Sequence, residues 1–440
     1  MKNNKFILAF FFLIYINILN AEVLVFSSAY KLALENANAI KASEYMVESS
    51  KERVNQEESR LYPQVNLSAY YKKSKYGYYN KNTTSPDTQG LINYGVSLKQ
   101  SVYNAQIYSK ITMETSRSEL FSIGVELEKE ELAQTVFKAY LDLLKAHNKI
   151  DLYELYLTYT KSRLDELEKK YEMFTVSKMD ILEIRTEYKS AQIDLNKENK
   201  LFKVKELKLK QLIGNIEYEL PIIESDKSIL ANIEQMKISV LDKVEFPLNL
   251  ELLRAKLALR LSQEEVDNSF DGHYPTLDLE ISSYNYDTDD PTIDAPYKNV
   301  SNAMLYVNVP VYSGGAISAK VRESKLRSLS ANEELLNTQK DIKVRYDENV
   351  AIFEASFESV AMYQDAYESS ILYVRSIEEG YKHGLKSIID LNDAKVKQYE
   401  VRYKYIENIY ELVDSYIALL ILTNDFQSIK ILDNIVQQRN

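Results

Sequence analysis

From residue 132 the apolar positions of the chain step by alternating fours and threes. Leu132, Val136, Ala139, Leu143, Ala146, Ile150, Tyr153, Leu157, Thr160, Leu164, Leu167 and Tyr171 follow this rule, and only Thr160 is polar. Such a period holds one stripe on one side of an α-helix, the seam of a coiled coil. The seam returns 210 positions later as Ile342, Tyr346, Phe353, Val360, Tyr367, Val374, Ile377 and Tyr381. Elsewhere the period is two. Val65, Leu67, Ala69 and Tyr71 alternate with Asn66, Ser68 and Tyr70, and Leu277, Leu279 and Ile281 alternate with Asp278, Glu280 and Ser282. Ile92, Tyr94, Val96 and Leu98 share one parity, as do Ala303, Leu305, Val307, Val309 and Val311. Period two predicts strands with one apolar face. The polar stretches 80–89 and 287–296 join them into two hairpins.

The breakers set the limits of these elements. No Pro lies between Pro86 and Pro221 or after Pro310, only Gly124 interrupts 104–213, and only Gly380 and Gly384 fall after residue 316. Pro and Gly are costly inside helices, so both spans read as long helices. A helix over about 104–171 is on the order of 100 Å long at 1.5 Å per residue, a rod rather than part of a compact globule.

The halves repeat one another. Tyr62-Pro63 and the alternation after it return as Tyr274-Pro275, and Val102-Tyr103 returns as Val311-Tyr312. Three ordered motifs at nearly one offset indicate duplication. We therefore divide the chain into residues 1–21, repeat one at 22–219 and repeat two at 220–440. Repeat one holds a helix, a hairpin about 63–103, a long helix about 104–171 and a helix about 177–213. Repeat two holds helices, a hairpin about 275–312, a long helix about 316–380 and a helix about 387–428.

Lys2 and Lys5 followed by the apolar run Phe6–Leu19 and the small residue Ala21 have the outline of a cleaved export signal over 1–21. No later stretch is long and apolar enough for a spanning helix. The chain has no Cys, which excludes disulfides and thiolate metal sites, and its net charge of −11 argues against nucleic acid as a partner. His147, His273 and His383 are scattered, and Asp287, Asp289, Asp290 and Asp294 lack the glycine and terminal glutamate of a calcium loop. No phosphate-cradling loop or nucleophile elbow is present. We expect no catalytic, cofactor or metal site, and no enzyme.

Four amphipathic strands cannot close a barrel alone, and an open edge cannot face lipid. Either several chains share a barrel or the strands form a small soluble sheet. The order and spacing of these motifs resemble the outer membrane efflux protein (TolC-like) family over essentially the whole mature chain. The resemblance rests on the Tyr-Pro hairpin openings, Val311-Tyr-Ser-Gly-Gly315, Leu209-Lys-Gln-Leu-Ile-Gly-Asn215 and the turn Tyr381-Lys-His-Gly384-Leu-Lys386-Ser-Ile-Ile-Asp390-Leu-Asn-Asp393. It implies a mainly α fold with a β-barrel: three chains each lend four strands to one membrane barrel, continued by a helical coiled-coil tunnel. It also implies an outer-membrane location extending into the periplasm, and a homotrimer in outer membrane lipid. The expected partners are a periplasmic adaptor protein and an inner-membrane transporter, for which the trimer serves as a passive exit duct in efflux or type I secretion. The rival reading is a periplasmic coiled-coil scaffold or adaptor protein without a channel.

By the same resemblance, Asp390 and Asp393 face the lumen at the far tip and Gly384 makes the tip turn. Tyr381, Lys386 and Asp180 hold neighbouring coils shut. Two acids three residues apart share one helix face, and threefold repetition rings an opening with carboxylates, which selects cations. A second reading is compatible with the first: Ser177-x-x-Asp180 and Ser387-x-x-Asp390 both fit helix capping boxes. Phe174 stands in the slot of Gly384, so the first tip is expected to turn differently. Lys386 stands where Arg is frequent in the family, which removes bidentate pairing.

Overall fold

The computed structural model describes residues 23–75, 88–221, 234–236, 249–288 and 298–436. The expected export signal and most of both hairpin turns, with Asp289, Asp290 and Asp294, lie outside them. Helices α1 (Phe26–Asn36) and α2 (Asn38–Glu58) lead into strands β1 (Gln64–Lys75) and β2 (Thr88–Tyr103). The 68-residue α3 (Ala105–Glu172) follows, and α4 (Lys178–Ile213) runs back along it. The second half presents α5 (Leu250–Phe270), β3 (Thr276–Thr288), β4 (Asn299–Asn308), the 67-residue α6 (Ala316–Lys382), α7 (Ile388–Thr423) and α8 (Ile429–Val436). No helix of the described residues is long and apolar enough to cross a membrane.

Local chemistry starts and stops these elements. The Asn104 side chain accepts from the Gln106 N–H and caps α3, and Asn249 accepts from the Leu252 N–H to cap α5. The Asn249 amide also donates to the Leu422 carbonyl at 2.9 Å, which ties the start of α5 to the end of α7. One 3₁₀ turn precedes each Tyr-Pro pair, Ser59–Leu61 and Asp271–His273. The residue before proline avoids the helical region, so the chain is already extended when it enters β1 or β3.

The four strands form one antiparallel sheet in chain order. Val65 lies opposite Leu98, Leu98 opposite Ile281, and Ile281 opposite Ala303. Directly opposed residues share a face, so the register merges the four apolar parities into one continuous surface. That surface is bare, with Leu67 85% and Val307 64% exposed. β2 reaches 16 residues, longer than its alternating core, because it is paired on both sides. Gly95 lies opposite Tyr284, and an added Cβ would collide with the Tyr284 ring and the Ser283 carbonyl oxygen. Among the described residues the outer edges of β1 and β4 have no partner.

The main core sits where α1, α3, α4, α6 and α7 converge. Phe26 meets Phe137 and Tyr140 edge to face at 5.7 and 4.9 Å, and Leu143, Leu209, Phe353 and Tyr416 are fully buried. These are seam positions or their neighbours, and burying each large side chain contributes about 1.5–3 kcal/mol. Towards the far ends of the coils the core thins to two small clusters. Leu164, Leu167, Ile181 and Ile184 pack between α3 and α4, and Val374, Ile377, Leu391 and Ala394 between α6 and α7.

Candidate functional site at the tip of the helical coils

Each coil ends in a tight turn, and the two turns are the same. The Met173 and Phe174 N–H groups donate to the Lys169 and Tyr171 carbonyls, and the Thr175 N–H reaches back to the Lys170 carbonyl at 3.0 Å. In repeat two, His383, Gly384 and Leu385 donate to Glu379, Tyr381 and Gly380, the last at 2.8 Å. This is the Schellman arrangement, which needs a left-handed residue after the cap. Gly384 supplies it with φ 72° and Phe174 with φ 57°. The expectation that Phe174 turns the first tip differently is therefore wrong. The hydrogen-bond demand of the helix end outweighs the steric cost of a side chain at positive φ.

Both return helices start with the capping box expected from sequence. The Ser387 N–H donates to Asp390 Oδ2 at 2.8 Å, and the Asp390 N–H donates to Ser387 Oγ at 3.1 Å. Ser177 and Asp180 repeat the exchange at 2.8 and 3.3 Å. The bond from the Ser387 backbone, then that from its hydroxyl, holds the Asp390 carboxyl below the usual carboxylate range, with help from Lys386. Asp180 is lowered by its serine in the same way.

The other expected residues are spread around this turn. Tyr381 lines a groove of about 600 Å³ with Asp165, Lys169 and Lys170 of α3 and with Ser387. Within the protomer, Asp180 makes no hydrogen bond or ion pair with Tyr381 or Lys386 among the described residues, so the three are not joined in one chain. Lys386 is exposed, and its stem crosses Gly380 so closely that an added Cβ there would sit 2.8 Å from Lys386 Cγ. Gly380 thus serves the turn twice, by its small size and by its carbonyl, which also accepts from the Lys386 N–H at 3.2 Å.

Asp393 has a partner that sequence reasoning missed. Arg163 of α3 lies 3.8 Å from Asp393 and 3.8 Å from Glu187 of α4. Glu187 also accepts from the Tyr156 hydroxyl at 2.6 Å, and burial followed by that bond pushes the Tyr156 pKa up to about 12. Arg163 flanks the seam in a run of ordinary charged residues and its partner lies 230 positions away, so no spacing announces it. Three or more candidate metal ligands converge nowhere among the described residues.

With this geometry in place, comparison with known proteins is informative. The family described as "Outer membrane efflux protein" matches residues 29–215 and 248–425, which is most of the chain and both repeats. Outer membrane protein TolC of Escherichia coli (strain K12) is 24% identical over 393 residues, covering 81% of this chain and 75% of the relative. Proteases secretion protein PrtF of Dickeya chrysanthemi is 22% identical over 331 residues, covering 72% and 70%. Among solved structures, the outer membrane protein VceC from Vibrio cholerae superposes with a TM-score of 0.72 at 12% identity, covering 90% of this chain and 96% of that one.

Proposed function

This chain belongs to the outer membrane efflux protein family, and from that we infer that three copies form an outer-membrane exit duct for efflux or type I secretion. The observation that carries the reading is the sheet. It has an exposed, continuous apolar face and two edges unpaired among the described residues, and it stands on helices about 100 Å long. Unpaired strand edges cost several kcal/mol per polar group in lipid. β1 and β4 run in opposite directions, so β4 of one copy adds antiparallel to β1 of the next, a head-to-tail contact that closes into a ring. Four strands from each of three copies make a barrel wide enough for a lumen.

The helices continue that lumen through the periplasm to a tip that meets an adaptor protein and an inner-membrane transporter. Transport through the duct is passive, and no cofactor takes part. At the tip the carboxylates of Asp390 and Asp393 are the charges nearest the opening, and Tyr381, Lys386 and Asp180 join neighbouring copies. Asp390 serves as cap and pore charge together, since one Oδ2 is enough for the Ser387 N–H and hydroxyl.

The test is conductance of the purified protein in planar bilayers. A trimer of low, cation-selective conductance is expected, blocked by trivalent cations added on the tip side. Asp390→Ala with Asp393→Ala is expected to lower the selectivity and weaken the block. A protein that fractionates as a soluble monomer and opens no conductance would be a scaffold and end the reading.

A further inference from the structure

Far from the tip, α3, α5, α6 and the end of α7 enclose a cavity of about 580 Å³. Glu130 and Glu131 come to it from α3, Glu251 and Arg254 from α5, and Glu334 from α6. Arg345 pairs with Glu251, its Nη1 donating to Oε1 at 3.2 Å, but among the described residues no cation pairs with Glu130, Glu131 or Glu334. Four carboxylates against Arg254 and Arg345 leave an excess of two negative charges. Glu130 decides what this means. It is only 9% exposed, and its Oε1 is buried with no hydrogen-bond partner. A buried carboxylate oxygen that no donor reaches carries its desolvation cost unrelieved. The missing partner is not a metal ion, which needs several oxygens gathered about one point. Three or more candidate metal ligands converge nowhere among the described residues. The carboxylates are instead spread out: α5 packs against both α3 and α6, so Glu130 and Glu334 stand on opposite sides of it.

We propose that this cavity binds an aliphatic diamine as a dication, with one ammonium taken by Glu130 and the other by Glu334. Each ammonium brings a positive charge and three N–H donors, and charge-assisted bonds of this kind are the strong ones. Two ammonium groups held apart by a flexible chain match two carboxylates held apart by a helix. Leu127, Ala258 and Ile421 line the same cavity and give the methylene chain an apolar wall. The ligand's two charges equal the excess of the site, and Arg254 disfavours a longer polycation. The volume falls within the range of about 300–1,000 Å³ usual for small-molecule sites. The cavity is built from both repeats of a single chain, so the proposal is independent of the duct reading and of the tip.

Isothermal titration calorimetry of the purified full-length protein with 1,4-diaminobutane, at pH 8 and low salt, tests this. One diamine per chain is expected to bind, and butylamine, with a single ammonium, at least tenfold more weakly. E130Q is expected to weaken diamine binding at least tenfold. E334Q changes an exposed residue and so leaves the fold intact; it is expected to weaken binding at least threefold. D390A with D393A is expected to bind the diamine as wild type does, which separates the cavity from the acids of the tip. Equal affinity for butylamine, undiminished binding by E130Q and E334Q, or no binding by the wild type would overturn the proposal. So would magnesium that binds the wild type but not E130Q while the diamine binds neither, since the cavity would then be a metal site.

Discussion

Phe174 and Gly384, 210 positions apart, adopt the same left-handed conformation and accept the same place in the same hydrogen-bonded turn. One has no side chain; the other carries an aromatic ring that is 95% exposed and packs on nothing to compensate. A side chain at positive φ costs roughly 1–2 kcal/mol, of which glycine gives back about 0.5–1 kcal/mol through the freedom of the unfolded chain.

Phe174→Gly is therefore expected to stabilise the protein by about 0.5–1 kcal/mol, read as a higher midpoint in chemical denaturation. Gly384→Ala is expected to lower the midpoint by a similar amount. A Phe174→Gly variant less stable than wild type would mean that the ring makes a contact in the assembled trimer.

Glu130 predicts a pH dependence. Its Oε1 is buried without a hydrogen-bond partner beside a cavity shared with Glu251 and Arg254. Burial, then the charges of Glu251 and Glu126, pushes its pKa from 4.5 up to about 7. Between those values the folded state holds a proton that the unfolded chain has lost, so stability falls as pH rises from 4.5 through 7 and levels above it. Glu130→Gln is expected to be more stable than wild type at pH 8, by on the order of 1–2 kcal/mol because the open cavity screens the charge. The gain should vanish near pH 4.5. Melting curves of both proteins across this range check it.

The seam and the exposed stripe of α6 should behave differently. Leu143 and Phe353 are fully buried inside one protomer, so Leu143→Asp with Phe353→Asp is expected to cost several kcal/mol and abolish the helical circular dichroism signal. Leu329 and Leu336 are 63% and 42% exposed and lie seven residues apart on α6. Leu329→Asp with Leu336→Asp is expected to leave the helical signal intact and lose the trimer in size-exclusion chromatography.

Gly95 tests the sheet. Gly95→Val is expected to stop barrel assembly, seen as loss of the heat-modifiable trimer band. Tyr284→Ala should not rescue it, because the added Cβ also meets the backbone carbonyl of Ser283. Recovery in the double variant would show that the side chain alone set the requirement.

Much of this architecture could be read from the chain because its signals are local. The four-three stepping from Leu132 to Tyr171, the Pro-free spans and the Ser177 and Ser387 capping boxes each act within a turn or two of helix, so they fold as they read. Duplication doubled each signal, and period two assigned an apolar parity to every strand. Tertiary structure decided what depends on partners remote in sequence. Only the register of β1 to β4 puts the four parities on one face, and only the approach of β3 at Ser283 and Tyr284 makes Gly95 obligatory. Phe174 turns against its own preference because the end of α3 must satisfy its carbonyls, a demand that the residue's identity does not reveal. Arg163 reads as one more charge beside a seam until the second coil brings Asp393 to it. Spacing along a helix records which side chains share a face, whereas charge pairing across coils is set by how two rods lie together, and no short stretch of sequence encodes that.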